Sequence, residues 1–110
     1  MFVLLSREKK IALARLGLGI LGIKYGGRVR TNEPDIYSLF VEFFGVSTQE
    51  QIMPILQEIM SMDQDRATQI ATSVSHYNKQ VFRKFLLSNI NQRDGQTMLA
   101  VALTLKNIGF

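Results

Sequence analysis

At 110 residues with no cysteine, the chain has the length of one domain, 1–110, and excludes a disulfide framework and thiolate metal sites. Its 46% hydrophobic and 20% charged content is that of a globular chain with enough apolar matter for one core. Residues 1–30 carry seven Lys or Arg against Glu8, residues 31–65 carry seven acids and no Lys or Arg, and residues 66–110 carry six Lys or Arg against Asp94.

Two outcomes follow from that block pattern. The blocks neutralise one another across a bundle, each exposed pair contributing little. Or the basic blocks share one face, leaving a dipolar surface that attracts polyanions or stacks head to tail with other copies.

"MFVLL" has no basic residue before it and is followed at once by "SREKK", so it does not read as a secretory signal. The apolar run from Ile11 to Ile23 is interrupted by Arg15 and falls short of the ~20 residues that cross a bilayer. No membrane span is expected, and with no cysteine a reducing, cytoplasmic setting is.

Ser6 is placed to cap a first helix, 7–24, with Glu8 in the first turn where the helix dipole favours an anion. Asn32-Glu33-Pro34 starts a second helix, 35–44, whose Ile36, Phe40, Phe43 and Phe44 recur at helical spacing until Gly45 stops it. Ser47-Thr48-Gln49-Glu50 has the S-x-x-E form of a capping box, and Ile52, Ile55, Leu56, Ile59 and Met60 form the stripe behind it. Pro54 falls within this stripe and either kinks the helix or starts it.

Asp63 or Asp65 caps the next helix. From Ala67 through Ile70, Val74, Tyr77, Val81, Phe82, Phe85 and Leu86 the apolar phase holds with no Gly or Pro, predicting one long helix over about 64–90. Asp94-Gly95 marks a turn, and Met98, Val101, Ala102 and Leu105 place a last helix. The expected fold is an all-α bundle of about five helices. The alternation L-G-L-G-I and the pair Gly26-Gly27 leave a short β-hairpin near 20–31 as the main alternative.

Gly17, Gly19 and Gly22 spell G-x-G-x-x-G, but a dinucleotide site needs a strand before the glycines and a helix after them within a βαβ unit. A helical context supplies neither, and no cofactor is expected. Ala12, Gly19, Gly22 and Gly26 instead fall on one helical stripe with Gly17 opposite, a seam of small residues that another helix can approach closely.

His76 is the only histidine, with no second imidazole at metal-ligand spacing and no G-x-S-x-G elbow to serve. "DQDRATQIATSV" lacks the glycine and the terminal glutamate of a calcium loop, so no metal site is expected. The acids at 33, 35, 63 and 65 stand at helix starts, where capping accounts for them. Enzyme activity is not expected.

Helices 7–24 and 35–44 are apolar around most of their circumference, and a domain this small surrounds one such helix at most. That predicts leftover apolar surface and a homo-oligomer or protein partner, with Gly19, Gly22, Tyr37, Val41 and Phe44 as candidate interface residues. The expected function is a non-enzymatic helical interaction module that self-associates or docks a protein partner. The alternative is an RNA- or single-stranded-DNA-binding protein, possibly oligomeric, working through basic segments 24–30 and 79–84. Lys24, Arg28, Arg30, Lys79, Arg83 and Lys84 would meet phosphates there, and Tyr25 would stack on a base.

Overall fold

The computed structural model describes residues 5–24, 37, 39–88 and 95–110, with the side chains of 21–24 and 97 left out of that description. Helix α1 spans Arg7–Lys24, a π-helical segment spans Leu39–Phe44, and α2, α3, α4 and α5 span Gln49–Ser61, Gln64–Thr72, His76–Ser88 and Gly95–Asn107. The fold is all-α, and no strand occurs among the described residues.

The helix starts follow the local cap chemistry. The Ser6 Oγ accepts from the Lys9 amide at 3.2 Å and opens α1. The Asp63 carboxylate accepts from the Arg66 amide at 3.2 Å and opens α3. At α2 the capping box lies one residue later than its S-x-x-E form suggests. Thr48 is the N-cap and Gln51 its reciprocal partner, the Gln51 Oε1 accepting from the Ser47 and Thr48 amides at 3.2 and 3.3 Å. From that cap α2 runs as one element through Pro54, which lies inside the helix. Gly45, at φ 67°, closes the π-helical segment and donates its amide to the Val41 carbonyl.

The predicted single helix over 64–90 is two helices. Thr72 Oγ1 donates to the Gln69 carbonyl at 2.7 Å, and Ser73 Oγ to the Ile70 carbonyl at 2.6 Å, so hydroxyls end α3 by taking up its last carbonyls. The Ser73 and Val74 amides donate to the carbonyls three residues back. Ser75 then accepts from the Asn78 amide at 3.3 Å and caps α4. Val74 is buried in this break, so its apolar side chain serves the core without being helical.

The hairpin alternative near 20–31 loses its first arm, because residues 20–24 belong to α1; residues 25–31 lie outside the described residues. The L-G-L-G-I alternation misleads because Leu16, Leu18 and Ile20 are all buried although they point in different directions around a helix. The start of helix 35–44 also lies outside the described residues, apart from Tyr37.

That burial pattern identifies α1 as the central helix. Ile11, Ala12, Leu13, Ala14, Leu16, Leu18 and Ile20 are all in the core, and α1 packs against α2, α3, α4, α5 and the π-helical segment. Its most extensive contact is with α3, which buries Ala67 and Ala71 one turn apart, and such short side chains let two helix axes come close.

A second region of the core is aromatic. Phe43 meets Phe82 and Phe85 edge to face, with ring centroids 6.0 and 6.3 Å apart, and Phe110 meets Phe82 at 5.5 Å. Gly17 stands against this cluster: a Cβ there would lie 3.3 Å from the Phe82 Cζ. Of the predicted small-residue seam, Ala12 is buried and Gly19 is exposed, so among the described residues no helix packs closely on Gly19. Gly17, expected opposite the seam, is the closely packed glycine, and Gly19 has nothing within 4 Å of where its Cβ would be.

Candidate interaction surfaces

Three surfaces and one small cleft emerge once the core is subtracted. On α4 the core face is Phe82, Phe85 and Leu86. The opposite face carries Tyr77, Gln80, Val81, Arg83, Lys84 and Leu87, which line a shallow cleft of about 570 Å³. Tyr77, predicted to continue the core stripe, falls on this side and is 68% exposed, whereas Val81 and Leu87 are half-buried and also pack against the core. The break at 73–75 explains the discrepancy: it resets the phase that the sequence carries across it.

The predicted strip of cations on α4 is divided by the fold. Arg83 and Lys84 are exposed and line the cleft. Lys79 is half-buried on another side, its ammonium 5.7 Å from the centre of the Phe110 ring. His76 is exposed in the first turn of α4. Tyr25, Arg28 and Arg30 lie outside the described residues, as do the side chains of Lys24 and Gly22.

The second surface is the exposed side of α2. From Tyr37 to Asp65 the described residues include Glu42, Glu50, Glu58, Asp63 and Asp65 and no cation. Ile52, Ile55 and Ile59 turn α2 inward, and Glu50, Met53, Gln57 and Met60 lie on its exposed side. Met60, predicted as part of the buried stripe, is 59% exposed. Tyr37 and Val41 are exposed close to this surface, because the Tyr37 hydroxyl donates to the Ser47 carbonyl at 3.0 Å beside the α2 cap. Phe44 is half-buried, its ring 5.6 Å from that of Phe43, and so extends the aromatic core.

The two described ion pairs join α1 to its neighbours: Arg7 to Glu58 on α2 and Arg66 on α3 to Glu8, each at 2.6 Å. Of these, only Arg7–Glu58 joins a basic block to the acidic one; Arg66–Glu8 joins the two basic blocks. Neither pair involves Glu50, Arg83 or Lys84.

The third surface is on α5. Val101 and Leu105 are fully buried, while Leu99 and Leu103, one turn apart on the other side, are 61% and 52% exposed. This helix was not among those expected to have apolar residues all round. The signal was present in "MLAVALTL", which places leucines or valine on both sides of a helix.

The small cleft, about 260 Å³, lies between α1, the start of α3 and α5, and Gly19 forms part of its wall with Arg15 and Thr104. The Arg15 Nε donates to the Met62 carbonyl at 3.1 Å, tying α1 to the α2–α3 connection.

Every buried side-chain nitrogen or oxygen among the described residues has a hydrogen-bond partner. No cluster of three His, Asp or Glu stands close enough among them to hold a metal ion. No described helix is long and apolar enough to cross a membrane. Comparison of the chain with family models, curated proteins and solved structures finds no match.

Proposed function

We propose that this chain is a non-enzymatic helical module that acts by self-association. The observation that carries this reading is the exposed Leu99–Leu103 pair on a helix whose other side is already in the core. Full burial of one leucine is worth about 1.5–3 kcal/mol, so covering both is a substantial driving force for a protein contact. Tyr37 and Val41, also exposed, add apolar surface near the α2 N-terminus.

Protein docking is favoured over nucleic-acid binding by the composition of the exposed faces. Affinity for nucleic acid grows with the number of cations that reach phosphates. The α4 cleft offers two, Arg83 and Lys84, interleaved with Val81 and Leu87. Aliphatic side chains between cations suit a protein helix better than a phosphate backbone.

Light scattering over a concentration series tests the reading. The weight-average mass should rise with concentration and fall when Leu99→Ser and Leu103→Ser, or the charged faces described below, are changed. A wild-type chain that stays monomeric at the highest concentration reached would refute it.

A further inference from the structure

We propose that copies of this chain associate head to tail, the cationic, aliphatic-lined face of α4 in one copy receiving the methionine-bearing face of α2, with Glu50 in its first turn, in the next. This rests on the self-association reading and adds a second contact, separate from the Leu99–Leu103 face.

The two faces complement each other in charge. The α4 face carries Arg83 and Lys84, while the exposed side of α2 carries Glu50, its other acid, Glu58, being paired with Arg7. Within one chain the two ion pairs involve the α1 end and leave Arg83, Lys84 and Glu50 to outside partners. Opposite potentials on two faces of the same molecule steer copies into one orientation and disfavour the others.

They also match in length and chemistry. Helices α2 and α4 have 13 residues each, so both exposed faces run about 20 Å. On the α4 side Val81 and Leu87 line the cleft, with Tyr77 at one end. The α2 face offers Met53 and Met60, and a methionine side chain is flexible enough to fill an irregular groove. Glu50, in the first turn of α2, would meet the Arg83–Lys84 pair, which puts Met53, three residues on, beside Val81 or Leu87 and leaves Met60 outside the cleft.

Because the donor and acceptor faces are different surfaces, each copy in such a contact keeps one of each free. The contact is heterologous and generates a ring or an open filament.

The test uses two charge-reversed forms of the full chain: Arg83→Glu with Lys84→Glu, and Glu50→Lys. All three positions are exposed, so both forms should keep the wild-type helical circular dichroism. Light scattering of each form alone should show association weakened about tenfold or more. Mixing them restores opposite charges at both kinds of contact, and the mass should recover toward the wild-type value. Wild-type association should also weaken between about 0.1 M and 1 M salt, as the Debye length shortens from about 10 Å to 3 Å.

Association unchanged in both reversed forms but lost in the Leu99→Ser, Leu103→Ser form would overturn the head-to-tail contact and leave self-association standing. A monomeric wild-type chain would remove both. Loss of a salt-sensitive interaction with a labelled single-stranded oligonucleotide in the Arg83→Glu, Lys84→Glu form, with mass unaffected, would assign the α4 face to nucleic acid instead.

Discussion

Gly17 and Gly19 sit two residues apart in one helix, and replacing each with alanine should move stability in opposite directions. Alanine is better than glycine in a helix interior by about 0.8–1.0 kcal/mol. At Gly19 nothing lies within 4 Å of the added methyl, so most of that gain should be realised. At Gly17 the methyl would meet the Phe82 Cζ at 3.3 Å, with the Leu86 Cδ2 and Phe82 Cε2 at 3.6 Å. Phe82 has little room to yield, being fully buried with the Phe43 and Phe110 rings edge-on to it. Overpacking of that kind costs about 1–3 kcal/mol, which equals or exceeds the helix gain. The two variants should therefore differ by about 1–3 kcal/mol, with Gly19→Ala above wild type and Gly17→Ala at or below it. Thermal unfolding followed by circular dichroism at low protein concentration should separate their midpoints by roughly 4–12 °C. Equal midpoints, or a Gly17→Ala form more stable than Gly19→Ala, would refute the packing argument.

Removing the Phe82 side chain should be far more damaging: Phe82→Ala leaves a cavity among buried rings and should cost about 3–5 kcal/mol in urea unfolding. Ser75→Ala removes the hydroxyl that accepts the Asn78 amide and should cost about 0.5–2 kcal/mol, with faster amide exchange in the first turn of α4.

The legible parts of the fold were those set by local chemistry. Ser6 and Asp63 cap helices because a short oxygen-bearing side chain satisfies free amides wherever a helix begins, and Gly45 stops one because it alone in its neighbourhood adopts a positive φ. What the sequence concealed depends on tertiary choice. The apolar phase runs from Ile70 through Val74 to Tyr77 without a break, yet the hydroxyls of Thr72 and Ser73 take up the α3 carbonyls and turn Tyr77 to water. The glycine stripe was read from spacing alone, and spacing does not say which side of α1 will meet Phe82.

The exposure of Arg83 and Lys84 was legible in the sequence, and the placement of Lys79 was not. Block counting along the chain raised the prospect of faces of opposite sign; of the basic residues it singled out, Arg83 and Lys84 line one cleft. The structure turns Lys79 toward the Phe110 ring, a contact between residues 31 positions apart that no helical wheel of α4 contains. Two helices looked apolar all round, and only packing decides which of them occupies the middle.

The position of α1 at that middle has a consequence during synthesis. Its apolar side chains leave the ribosome before any of the helices that cover them, and α5, which closes one side, follows more than 70 residues later. At about 5–20 residues per second, α1 spends several seconds with an unprotected apolar circumference. The nascent chain is thus a ready client for chaperones, and slowing translation between α1 and α5 should lower the yield of folded protein.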